Sequence, residues 1–224
     1  MSPAAVVAPH AAWQFCGRVM ASAFAGLEPD SKTRVLHLAP SHHYQIENVI
    51  QSNACAFSTV LGACSITRVD HNLVSADSVP HEPEHALEVQ LPFLQAILGT
   101  FEYVPLLVGN CAASALQQLL TDLGADSPDT LTVVSTDLSH YLPRDDALLA
   151  DRATLHAIES LDHNLDTRQA CGAYALSGLN LFARHCQWRA VAVDRCDTAG
   201  VNCTHESSAN GVVGYAAVAF YRST

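Results

Sequence analysis

Apolar residues come in short, β-branched runs separated by longer stretches in which they recur every three or four positions. The pattern predicts strand and helix in alternation along most of the chain. Residues 4–8 (AAVVA) read as a buried strand, and 13–26 as a helix whose apolar face carries Phe15, Val19, Met20, Ala23 and Phe24 and closes at Gly26. A second strand at 34–39 ends at Pro40. From 45 to 80 the apolar pieces (NVIQS, CAFST, ITRVD) are short and broken by polar residues, the pattern of hairpin-like strands or an excursion from the main sheet. Residues 84–98 place Leu87, Leu91, Leu94 and Leu98 on one helical stripe, with Pro92 kinking or restarting the helix. Strand (101–109), helix (113–124, closed by Gly124) and strand (130–137) follow. Helical stretches at 145–160 and 167–186 and two final strands, 189–196 and 212–221, complete the chain.

Strands that alternate with helices specify an α/β fold, a three-layer α/β/α domain with a mixed, largely parallel central sheet. No linker-like stretch divides the 224 residues, so a single domain spanning 1–224 is expected. About half the residues are hydrophobic, only 15% are charged, and the net charge is −11. That balance excludes a protein that tracks nucleic-acid phosphates or an anionic membrane surface. With no secretory leader or spanning stretch, and eight cysteines that lack disulfide or zinc-finger spacing and lie mostly among apolar residues, the expected location is the cytoplasm and the expected state free, buried thiols.

Chemistry concentrates where strands end. His10 follows VVAP, His42 follows LAPS, and Asp137 and His140 follow LTVVST. Ligands of open α/β sheets bind at the carboxyl ends of strands, so imidazoles delivered there from distant segments can share a pocket. Imidazole is also the commonest protein ligand of transition metals. His42 and His43 are adjacent and point opposite ways in extended chain, so one of them reaches a given site. His10 and His42, at equivalent places of successive βα units, are expected side by side on neighbouring strands. In HEPEH, Pro83 argues against a continuous helix of the zincin type. His85 is the stronger candidate there, at a helix start that would lower its pKa, with Glu84 and Glu88 on the same face. Asp137 is placed to fix the tautomer of, or take a proton from, a nearby histidine such as His140. His37, His71, His156, His163 and His185 show no partner pattern and receive no role.

The blocks APHAAWQFCG, LAPSHHY, EHALEVQLPFL, VPLLVGN, VVSTDLSHY and GVVGYAAVAF, in this order over nearly the whole chain, resemble the Memo family, including the proteins called AmmeMemoRadiSam system protein B. That family resembles class III extradiol dioxygenases in fold. The resemblance implies a metal pocket with His10, His42 and Cys203 as ligands, His205 and Glu206 being rivals of Cys203. It implies His140 as acid/base and His85 and Asp137 as further catalytic residues. Such a donor set suits Fe(II), with Cu or Zn as alternatives.

The expectation is a metal-dependent redox or dioxygenase-type protein acting on a small, aromatic molecule. The alternative is a non-catalytic module that binds a ligand or peptide in the same pocket. Exposed sheet edges would suit a homodimer. A nucleophilic hydrolase using Cys203 with His140 would need an oxyanion hole that the sequence does not show, and would leave His10 and His42 idle.

Overall fold

The computed structural model describes residues 2–29, 31–201 and 211–223. Four strands form the centre: β1 (Ala5–Ala8), β2 (Arg34–Ala39), β7 (Glu102–Val108) and β8 (Thr130–Ser135), lying parallel in the order β1-β8-β2-β7. Every residue of β1 and β8 is buried, as strands covered on both faces require. Antiparallel strands extend both edges. On one side β11 (Val212–Tyr221) pairs with β1, and β10 (Arg189–Asp197) pairs with β11. On the other, β3 (Val49–Gln51) pairs antiparallel with β7 and parallel with β6 (Val74–Ala76). The short β9 (His140–Leu142) pairs with the start of β11. The excursion expected between 45 and 80 is present as β3, β6 and a separate hairpin of β4 (Ala56–Thr59) and β5 (Gly62–Ser65).

Alternate residues of each central strand feed opposite cores. Val6, Ala8, Val35, Leu131 and Val133 pack with α1 (Trp13–Phe24) and α2 (Leu91–Leu98). Val7, Leu36, Leu38, Val104, Leu106 and Val134 pack with α3 (Ala113–Asp122), α4 (Arg144–Glu159) and α5 (Ala173–His185). Helices therefore cover both faces of a mixed, largely parallel sheet. A four-residue helix, α6 (Thr198–Val201), follows β10.

Two predicted helices start later than their apolar periodicity suggested. Residues 84–90 are not helical after a single 3-10 turn at Val79–His81, and the helix begins at Leu91 with Pro92 in its first turn, where a missing N–H costs nothing. Residues 167–172 are likewise not helical, and α5 begins at Ala173. Both corrections lie beside the site described below, where side chains take up backbone groups that a helix would otherwise use. The described cysteines are all free, and Cys55 is exposed rather than buried.

A three-histidine cluster at the strand ends

The loops after β1, β8 and β2 open side by side at the carboxyl edge of the sheet. They carry His10, then Asp137, just past Ser135 at the end of β8, then His42. The two histidines do not come from neighbouring strands as the sequence suggested, because β8 lies between β1 and β2. Two strand spacings are about 9.6 Å, yet the rings of His10 and His42 have centroids 5.0 Å apart. Convergence of the two loops over the end of β8 makes up the difference. His85, from the turn before α2, closes a triangle with ring centroids 5.6 Å from His10 and 5.2 Å from His42. One ligand nitrogen from each ring lies within 4.8 Å of the others, so the group could hold a metal ion.

Hydrogen bonds decide which nitrogen His10 presents. The Ser135 hydroxyl has a single proton, and it goes to the Ala86 carbonyl at 2.7 Å. Ser135 Oγ must therefore accept from both Gln90 Nε2 (2.9 Å) and His10 Nδ1 (2.8 Å). His10 is thus the Nδ1–H tautomer, with the Nε2 lone pair facing the cluster, the arrangement found around metal-bound imidazoles. The support continues inward. Gln90 Nε2 also faces the carbonyls of Ala8 and Pro9, so its Oε1 must face His37 Nε2, which donates to it at 3.0 Å. His37 Nδ1 then accepts from the Tyr103 hydroxyl at 3.0 Å. Complete burial pushes His37 down to about 3, so it is neutral, as this chain of bonds requires.

Glu84 does for His42 what Ser135 does for His10. Its buried carboxylate accepts the His42 ring Nδ1–H at 2.9 Å, the His42 backbone N–H at 2.7 Å and the Ala86 N–H at 3.0 Å. Burial opposes its charge, but the three hydrogen bonds and the His42 ring prevail and hold it at about 2. His85 Nδ1 lies 3.4 Å from the same carboxylate. The pKa of His85 is lowered, as expected, although by burial rather than by a helix start. Glu88, placed with Glu84 on a helical face by the sequence, is exposed because that helix does not form. His81 turns away and donates to the Ile50 carbonyl.

Asp137 is 5% exposed and contacts His10 rather than His140 by hydrogen bond: its Oδ1 accepts the His10 backbone N–H at 2.9 Å. Burial pushes its carboxyl up to about 6, against that N–H and the nearby His140 and His42. His140 begins β9, half-buried, and acts on Asp137 through space. Cys203, His205 and Glu206 lie outside the described residues.

A thiol without an assigned role joins the cluster: Cys171 Sγ is 3.3 Å from His10 Nε2 and accepts the Asp137 N–H at 3.2 Å. Burial would raise its pKa, but His10 and His42 outweigh that and bring it down to about 6, while His42, beside Cys171 and Glu84, is raised to about 10. The Cys171–Gly172 pair in QACGAY was the available signal, since a glycine at a helix start often marks close backbone approach. Nothing in the sequence pointed to Ser135, Gln90, His37 or Tyr103, whose roles depend on which residues face them across the sheet.

A family model described as Memo-like protein matches residues 1–218. A MEMO1 family protein of Methanopyrus kandleri is 33% identical over 70% of this chain and 60% of its own length. One from Archaeoglobus fulgidus is 29% identical over 96% of this chain and 86% of its own length. The protein memo-1 homolog of Caenorhabditis elegans is 31% identical over 79% and 53% respectively. The chain thus spans just over half the length of the first and third of these relatives.

Proposed function

Because the chain belongs to the Memo family, we propose that it binds a transition-metal ion through His10, His42 and His85 and uses it in redox or dioxygenase-type chemistry. One observation carries the reading: three imidazoles from three separate segments converge to within 4.8 Å, and two of them have the second ring nitrogen already engaged by Ser135 and Glu84. Iron(II) is the ion proposed, with copper or zinc as alternatives, since nitrogen donors suit all three. When bound, such an ion supplies Lewis acidity and, for iron or copper, electron transfer.

The chain's own residues hold and shield the site. Asp137 anchors the His10 backbone, and Ser135 and Glu84 fix ring orientation. His140, half-buried beside Asp137, is the residue proposed to move a substrate proton. A cleft of about 410 Å³ reaches Cys171 between Pro40, Tyr44, Asn110 and Tyr174. Its two tyrosines favour a small aromatic ligand. No helix among the described residues is long and apolar enough to cross a membrane. A cytoplasmic location is proposed, supported by the seven described cysteines all being free.

A second reading, a non-catalytic binding module, is favoured by a separate open groove of about 550 Å³ lined by Trp13, Val60, Val89 and Pro92, where Trp13 is 49% and Val60 87% exposed. Anaerobic metal analysis of the wild type beside the His10→Ala/His42→Ala double variant separates the readings. Near-stoichiometric iron or copper lost in the variant, followed by oxygen uptake with catechols, supports the first. A wild type that takes up no metal on reconstitution leaves the second.

A further inference from the structure

We propose that the free edge of β4 is a docking site for an extended segment of a partner protein that carries a basic residue beside an apolar one. The inference rests on the second reading above for the role of the groove at Trp13, and it holds with or without a metal ion at the histidines.

β4 pairs only with β5, in a two-stranded sheet of its own. The two-residue turn of Val60 and Leu61 closes on the pair Thr59 and Gly62, and the Ile66 N–H donates to the Cys55 carbonyl at 2.8 Å. Hydrogen-bonded pairs alternate along an antiparallel ladder. Cys55, Phe57 and Thr59 therefore direct their backbone groups at β5, and the N–H and C=O of Ala56 and Ser58 face outward. Ala56 and Ser58 are exposed, while Phe57 and Thr59 are half-buried. The edge carries none of the devices that block strand addition: Ala56–Thr59 contains no charge, no proline and no bulge.

All four residues of β4 line a cavity of about 210 Å³ whose opposite wall carries Glu82, Glu84 and Glu88. This cavity shares Thr59 and Glu88 with the open groove at Trp13, Val60, Val89 and Pro92. Both walls are braced. Gln95 Nε2 of α2 donates to the Gly62 carbonyl at 3.2 Å, and the Trp13 indole N–H donates to the Val89 carbonyl at 2.8 Å while its ring packs edge-to-face on Phe93. A strand added beside β4 meets a preformed surface, which lowers the ordering cost of binding.

Charge selects the occupant. Glu82 and Glu88 are exposed and make no ion pair among the described residues, Glu84 adds its buried negative charge, and no lysine or arginine lines either cavity. His81, in the same wall, gives its Nε2–H to the Ile50 carbonyl and keeps an Nδ1 without a partner, a further acceptor. These groups fit a guanidinium or ammonium side chain. Trp13, Val60 and Leu61, all exposed, fit an apolar neighbour. A second copy of this chain fits poorly, because it brings a net charge of −11 to an acidic site. Main-chain bonds to Ala56 and Ser58 supply affinity, and alternate side chains of the added strand supply selectivity.

The test is calorimetric titration of the full chain with the capped pentapeptide Val-Arg-Val-Leu-Val, beside versions with glutamate for arginine and serine for leucine. The wild type should bind the first and bind each of the others at least about tenfold more weakly. Ser58→Pro removes an outward N–H without touching the bonds to β5 and should lose about tenfold or more. Glu82→Gln/Glu88→Gln should lose a similar amount, together with the salt dependence of binding. No binding by the wild type, or equal binding by Ser58→Pro, overturns strand addition at β4, while the metal content of the same sample decides separately between the two readings above. The His10→Ala/His42→Ala double variant should bind the peptide as the wild type does, and loss of binding there overturns the assignment by placing the peptide at the histidines. Sedimentation that shows dimers dissociated by the peptide makes a second copy the occupant and overturns it too. Should Ser58→Pro not fold, amide exchange in the wild type decides the matter: the peptide must slow exchange at Ala56 and Ser58, and unchanged exchange there overturns the proposal.

Discussion

Ser135 has one proton to give, and its donation to Ala86 determines what His10 offers the site. In Ser135→Ala the His10 Nδ1–H and one Gln90 N–H lose their acceptor, and the ring is free to take the other tautomer. Metal affinity should fall about 10- to 100-fold, with a loss of about 1–3 kcal/mol in stability from the buried unpaired groups. Chelator competition and urea denaturation measure the two effects, and unchanged affinity would remove Ser135 from the ligand-orienting role. Glu84→Gln tests the equivalent support for His42. An amide keeps the shape of the group but gives up its charge, and its –NH2 would face donors if it turned, so a loss of about tenfold or more in metal affinity is expected. At this scale the sequence singled out His10, His42, His85 and Asp137 and was silent about Ser135, Gln90 and His37 behind them. His10 and His42 were visible because each follows a strand end and a proline. His37 and Gln90 looked like incidental strand and helix residues, since their partners are 53 residues apart in sequence.

Among the elements, the regular ones were the legible ones. In α1 the buried set Cys16, Val19, Met20, Ala23 and Phe24 is the stripe that its periodicity describes, and the strands at 34–39 and 130–135 follow their apolar runs. The segments misread as helix, 84–90 and 167–172, share a cause. Glu84 accepts from the distant His42 backbone and ring, and Gly172 donates to the distant Thr136 hydroxyl, and these bonds fix a turn where local periodicity favours a helix. Glycines carry two of the close approaches. Gly172→Ala should cost about 1–3 kcal/mol by overpacking and move Cys171 off the cluster. Urea unfolding together with the thiol reactivity of Cys171 in the folded fraction would show both, and a variant as stable as wild type with unchanged reactivity would contradict the account. In α5, Gly178 lets Leu116 of α3 approach so closely that any side chain would collide with it. That contact joins the two helices over one face of the sheet.

For the whole molecule, the neutral buried histidine makes stability depend on acid. His37 is held near 3 when folded and returns to about 6.5 when unfolded. The unfolded chain therefore binds the proton first as pH falls. The His37 contribution is complete above about 6.5 and is lost progressively toward 3, by an amount on the order of a few kcal/mol. Asp137, raised by burial to about 6, takes up its proton first in the folded state and partly offsets that loss, while the contribution of His42, raised to about 10, is lost as pH rises above 6.5. His81 and His85, both lowered mainly by burial, act in the same direction, and Glu84 adds its own loss only below its unfolded value of 4.5. Urea midpoints measured from pH 7 to 4.5 should fall steadily and fall less in His37→Gln. Equal slopes in the two proteins would mean that His37 is not the dominant group. A bound metal should raise stability by about 2.7 kcal/mol at a free concentration one hundred times its dissociation constant, seen as a higher melting temperature that a chelator reverses.

By itself the amino-acid sequence determined the α/β class, the order of the principal elements and the placing of two of the three clustered imidazoles at strand ends, because hydrophobic period and strand-end placement are local properties of the chain. Only the tertiary structure decided that β8 separates β1 from β2, that His85 joins the histidine cluster, that Cys171 faces it, and that Ser135 and Glu84 select the ring nitrogens. The reason is physical. A hydrogen bond or a shared metal ion is a relation between atoms a few ångströms apart, and here those atoms are separated by as many as 161 residues, a distance across which no local pattern carries information.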